Sequence, residues 1–133
     1  MNTPAPLTLL SADDLRRLPA PAAAACRSCG PLASAGWDSL AATADRRVLE
    51  RIGTLRRPDR DEPTVAEHHP AGTHAWSADA PIAPEWFPYN RCDVWRCSAC
   101  GRGFLRYTEY GGYYQDDRIR VLDPALVVDV PAP

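Results

Sequence analysis

The apolar positions of this chain follow one spacing near its start, a second in its middle and a third towards its end. Ser11 stands as a helix N-cap with Asp14 at the third helical position, and Leu10 and Leu15 are placed for a hydrophobic staple. This predicts a short helix over about 12–18, stopped by Pro19. Residues 19–25, Pro-Ala-Pro and then four Ala, read as a linker. Trp37, Leu40, Ala44, Val48 and Ile52 then recur at three- and four-residue spacing, which predicts a helix over about 37–52. Asp38 or Ser39 would cap it, and Gly53 suits its C-terminal end. Residues 56–85 are broken by Pro58, Pro63, Pro70, Pro81 and Pro84 and read as loop.

Beyond residue 85 the period falls to two. A strand from Cys92 to Cys97 and another from Gly103 to Tyr110 are predicted. Gly111-Gly112 reads as a two-residue hairpin turn, and a return strand runs from Tyr113 through Val121. The apolar run Leu126-Val127-Val128 reads as a short edge strand. The expected organisation is an N-terminal helix and Pro/Ala linker over 1–25, then a single domain over 26–133 whose β-hairpin ribbon spans about 90–122.

Composition changes this picture by making the core thin. Twenty-one of the apolar residues are Ala, and Leu, Ile, Val and Phe together number 24 of 133. Against that, a net charge of −2 is too small for a chain kept disordered by its own charge. A folded domain with so little apolar bulk calls for a staple. All 15 basic residues are Arg, which fits a GC-rich coding genome and also bidentate recognition of carboxylate or phosphate. The slightly acidic balance speaks against nonspecific nucleic-acid binding. No stretch approaches the length of a membrane span and no signal segment is evident, so a cytoplasmic protein is expected.

The staple is visible as two pairs, Cys26-Arg27-Ser28-Cys29-Gly30 and Cys97-Ser98-Ala99-Cys100-Gly101. Two thiolates three residues apart can grip one metal ion from a tight turn, and two such turns close a tetrahedral site. The Gly after each pair suits a turn that reverses at positive φ. Structural Zn2+ held by Cys26, Cys29, Cys97 and Cys100 is the leading expectation, with a redox dithiol as an alternative. The 67 residues between Cys29 and Cys97 are no obstacle. Loop-closure cost grows by only about 0.6 kcal/mol per doubling of length, against on the order of 10 kcal/mol for zinc.

These knuckles, the second within a strand-turn-strand, resemble those of zinc-ribbon and rubredoxin-like proteins. The resemblance covers the knuckles and roughly residues 90–122. It implies a metal held by four Cys beside a small antiparallel sheet, and it admits iron as an alternative to zinc. A helix and a long loop between the knuckles depart from a compact ribbon. The expected fold is α+β, with the four-cysteine site joining an N-terminal helical part to the sheet.

The remaining chemistry is divided between two places. Cys92 reads as a small buried apolar residue, with a swapped ligand or a redox thiol as alternatives. His68, His69 and His74 lie near Glu67 and would suit a second metal or a general base, but Pro70 breaks any helical pairing between them. The segment 86–122 holds nine of the eleven aromatic residues. Arg106, Tyr107, Tyr110, Tyr113, Tyr114, Arg118 and Arg120 crowd its hairpin. Tyr and Arg are enriched in interface hot spots, although aromatic pairing across strands would use the same residues. Six Arg against four acids over residues 86–120 is a weak basic footprint for nucleic acid. The leading expectation is a non-enzymatic protein-interaction module, an adaptor or an inhibitor such as the immunity partner of a bacterial toxin. No catalytic residue is assigned and no membrane is expected. A nucleic-acid-binding ribbon and a metal-dependent enzyme using the His68/His69/His74 loop are the alternatives.

Overall fold

A computed structural model of the chain describes residues 7–19 and 26–133. The 19–25 linker therefore lies almost wholly outside the described residues. One α-helix is present among them, α1 at Ala12–Arg16, and it is only five residues long. Its capping box forms as its sequence dictates. The Ser11 side chain accepts from the Asp14 N–H, and the Asp14 carboxylate accepts from the Ser11 N–H at 2.8 Å. These bonds favour the ionised carboxylate and hold the Asp14 pKa below its ordinary value. So short a helix does not amount to an N-terminal helical part. Ala12 and Leu15 bury themselves in the same core as the sheet.

The rest is built on five antiparallel strands: β1 (Asp38–Ser39), β2 (Leu49–Thr54), β3 (Asp93–Cys97), β4 (Gly103–Tyr110) and β5 (Gln115–Val121). Their order across the sheet is β1-β5-β4-β3-β2. Side chains alternate across it. On one face Val94, Leu105 and Leu122 meet Leu15, Trp37, Leu55, Ile82 and Tyr89. On the other, Phe104, Ile119 and Val121 meet Leu32, Leu40, Leu49 and two cysteines, Cys29 and Cys97.

The helix expected over 37–52 does not form. Its first residues make β1 at one edge of the sheet and its last make β2 at the other, with a single 3-10 turn at Arg46–Val48 between them. The Asp45 side chain accepts from the Arg47 N–H and closes that turn. A lone amphipathic helix of this length is marginal without a face to bury. The sheet offers more. Leu49 lies opposite Cys97 and Arg51 opposite Trp95, then Ile52 is extruded as a bulge before Gly53 pairs with Val94. Alternation after Arg51 places Ile52 against the first core cluster, and the bulge sets Gly53 opposite Val94. Gly53 is not a helix cap: a Cβ there would stand 2.6 Å from Leu10 Cγ and 2.8 Å from the Thr8 carbonyl oxygen.

The hairpin turn is displaced by one residue. Tyr110 pairs with Gln115, and the Gly111 N–H donates to the Tyr114 carbonyl at 2.8 Å, so the tip is Gly112-Tyr113. The C-terminal run forms no regular strand. Val127 makes an isolated parallel bridge to Ile82 after a 3-10 turn at Pro124–Leu126. Among the described residues, no helix is long and apolar enough to cross a membrane.

Candidate metal centre

The first knuckle is a tight turn. The Gly30 N–H donates to the Cys26 carbonyl at 2.7 Å, and the Leu32 N–H to that of Cys29 at 2.9 Å. Leu32 is buried in the second core cluster and anchors the turn to the sheet. The second knuckle continues β3. The Cys97 N–H donates to the Arg102 carbonyl, and the Gly101 N–H donates back to the Cys97 carbonyl, both at 2.9 Å. Gly101 has φ +80, the left-handed conformation that glycine adopts at no steric cost. Gly30, by contrast, is outside that region.

These turns bring four sulfurs together. The Sγ atoms of Cys26, Cys29, Cys97 and Cys100 all lie within 4.8 Å of one another. Cys26 and Cys97 are 3.9 Å apart, and Cys29 and Cys100 3.6 Å. A tetrahedral ion with metal–sulfur bonds of about 2.3 Å has sulfur–sulfur edges of about 3.8 Å. The two knuckles contribute one sulfur each to both of these close pairs, so an ion here would tie residues 26–29 to the β3–β4 turn.

Electrostatics separates the thiols. N–H groups of Cys29 and Ser28 point at Cys26 and bring its pKa down to about 6. Burial, followed by the neighbouring cysteines, pushes Cys29 upwards. The Ala99 N–H reaches Cys97 Sγ at 3.4 Å. Four thiolates in so small a volume repel one another, and a divalent cation removes that conflict by taking all four deprotonated. The donor set fits a thiophilic metal ion.

Other groups are not drawn into this site. Cys92 is fully buried on the opposite face, where its Sγ donates to the Pro88 carbonyl at 3.3 Å. Burial raises its pKa well above that of a free thiol. The three histidines do not converge. His68 lies against the Trp86 ring with centroids 5.1 Å apart, His69 meets Glu67 at 3.0 Å, and His74 Nδ1 accepts from the Trp76 N–H. Among the described residues, the four cysteines are the one group of three or more potential ligands close enough to share an ion.

The Tyr- and Arg-rich hairpin residues separate by face and by depth. Tyr110 is 75% exposed, Tyr114 56%, and Tyr113 wholly so at the tip. Tyr107 turns inward, edge-on to Trp37 with centroids 5.0 Å apart, and burial raises its phenol pKa. Arg118 is held by Glu109 at 2.9 Å and Asp116 at 3.2 Å, over the Trp76 ring. Arg106 stacks on Trp95, 4.2 Å from the ring centroid. Arg120 is not on a surface at all. It is fully buried and donates to Tyr89 Oη and to the carbonyls of Ala78 and Ala80. Ile119 and Val121 point to the other face of the sheet; because both faces carry a core cluster, Arg120 is buried beside Leu105 and Tyr89 on the first, which strand alternation alone does not reveal.

Trp95 and Trp76, which complete the Arg106 and Arg118 stacks, were missed as members of this surface. The register Trp95↔Phe104 beside Arg106 follows from a period-two reading of both strands, but Trp76 comes from a loop whose path no periodicity encodes. No protein-family model, characterised protein or solved structure matches this chain.

Proposed function

We propose that this chain is a zinc-stapled, non-enzymatic protein-interaction module, an adaptor or inhibitor, that contacts its partner through the β4–β5 hairpin. Zinc is the ion proposed for the four cysteines, since a closed thiolate set of this size is its usual structural site. Such a site keeps no open coordination position, which favours a structural role over a catalytic one.

The observation that carries the reading is the exposure of Tyr110, Tyr113 and Tyr114 together on one projecting tip. Large aromatic side chains grouped in solvent mark contact surfaces more often than isolated ones do. Their role in the fold is slight, because the buried aromatic packing is made by Trp37, Tyr89, Phe104 and Tyr107 instead.

The test is a pair of variants, Tyr110→Ala and Tyr113→Ala, used as bait in affinity capture from the source cell. Both are expected to retain metal content and urea midpoint, the stability changing by less than about 0.5 kcal/mol. Both are expected to lose the partner that the unaltered chain captures. Undiminished capture by both variants contradicts the reading.

A further inference from the structure

The β3–β4 ladder stops at Asp93↔Arg106, whereas β4 continues beside β5 to Tyr110↔Gln115. The end of β4 is therefore an edge. Which backbone groups face outwards follows from the alternation of an antiparallel ladder. Cys97 and Arg102 are joined by a backbone hydrogen bond, so the same type of pair recurs two steps on at Trp95/Phe104 and again at Asp93/Arg106. The intervening residues of β4 bond to β5, as Leu122 N–H to Gly103 C=O and Gly111 N–H to Tyr114 C=O show at the two ends. Continued by two and by four residues, this pattern turns the backbone N–H and C=O of Thr108 and Tyr110 towards the side that β3 has left.

An open groove of about 610 Å³ runs along this edge, with Phe87, Arg91, Trp95, Arg106, Tyr107 and Tyr110 among the residues that line it. Its charges are almost all engaged. Asp93 is held by Arg51 and Arg56, Asp117 by Arg46, and Glu109 by Arg118. Arg91 donates to the Pro63 carbonyl. Arg106 is different. It is half-buried and, among the described residues, meets the Trp95 ring but no carboxylate or carbonyl acceptor. Burial, followed by Arg46, lowers its pKa, and the charges of Asp117 and Asp93 offset this only in part.

We propose that the free edge at Thr108–Tyr110 receives an extended segment of a partner protein as an added strand, with an Asp or Glu side chain of that segment on Arg106. This rests on the protein-interaction reading and specifies its mode. In strand addition, main-chain bonds supply affinity and pockets for alternate side chains supply selectivity. Here Arg106 offers a planar fork to a carboxylate on the metal-bearing face of the sheet. Tyr107 and Phe87, 6.2 Å apart between centroids, offer an apolar wall on the opposite face. The segment is therefore acidic at one position and apolar at the next. A nucleic acid suits the groove less well. Among the described residues the groove offers one cation without a carboxylate hydrogen bond or carbonyl acceptor, where a run of phosphates needs several, and Asp93, Glu109 and Asp117 stand along the way.

The experiment pans a phage-displayed library of linear dodecapeptides over the zinc-loaded full chain and studies the strongest binder by fluorescence anisotropy and amide NMR. The expected binder is free of Pro and carries Asp or Glu beside an apolar residue. On binding, the Thr108 and Tyr110 amide signals shift and their hydrogen exchange slows at least tenfold. Arg106→Gln weakens the binder tenfold or more, and Arg106→Lys recovers part of the loss. A binder that leaves both amides unmoved, or is indifferent to Arg106→Gln, overturns strand addition. If that binder is still lost in Tyr113→Ala, the hairpin reading survives while this inference fails. Absence of any binder, or tighter binding of a thymidine dodecanucleotide than of any peptide, also overturns it. The amide readout stands even if an Arg106 variant folds poorly.

Discussion

Arg120 lies fully buried within the sheet. A guanidinium buried on the face of Leu105 and Tyr89 is tolerable only because Tyr89 Oη and two carbonyls accept its hydrogen bonds. Hydrogen bonds to a charged group contribute about 1.5–3 kcal/mol each. Tyr89→Phe is therefore expected to cost about that much in urea denaturation, and Arg120→Ala more than about 3 kcal/mol, since it also empties a buried site. A loss below about 1 kcal/mol for Arg120→Ala would show that these bonds contribute little. Cys92 makes a prediction in pH. Its folded-state pKa lies well above the value of about 8.5 for a free thiol. The neutral thiol thus contributes stability that is fully present below about pH 8.5 and is lost as pH rises towards the folded pKa. The stability difference between the unaltered chain and Cys92→Ala is expected to shrink between about pH 8.5 and 10. A difference that stays level contradicts the assignment.

At the scale of elements, those with strong local rules were legible in the sequence. The capping box at Ser11 and Asp14, and the alternation that bounds β4 at Gly103 and Tyr110, appear in the structure where the chain indicates them. Both knuckles and their convergence were equally plain from Cys spacing. Residues 37–52 were not, because the apolar spacing of Trp37, Leu40, Ala44, Val48 and Ile52 satisfies a helix as well as two separate strand ends. Long-range pairing across the sheet decided between them. Gly53 tests that explanation. In β2 the Cβ added by Gly53→Ala would meet Leu10 and Thr8. The expected cost is about 1–3 kcal/mol, read as a lower thermal midpoint with unchanged metal content. A higher midpoint would contradict the β2 packing. The Arg106 groove was illegible for a related reason: β3 and β4 differ in length, and only their register reveals an unpaired edge.

At the scale of the molecule, the second core cluster and the four cysteines are one unit. Cys29 and Cys97 are buried members of it, with Phe104, Ile119 and Val121 packed around them. A chain with 14 Pro, one short helix among its described residues and a core divided between two faces of one sheet has little else to hold residues 26–32 against β3 and β4. A structural zinc ion contributes on the order of 10–16 kcal/mol of apparent binding free energy, comparable to the entire net stability of a typical domain. On the proposed reading, an ion at the four cysteines holds the fold. The most direct measurement is native mass spectrometry with near-ultraviolet circular dichroism on chain purified without added metal, beside Cys97→Ser and a chelator-treated sample. One zinc ion per unaltered chain is expected, with loss of both metal and aromatic signal in the variant and the treated sample. A metal-free chain that keeps its aromatic signal would contradict that reading.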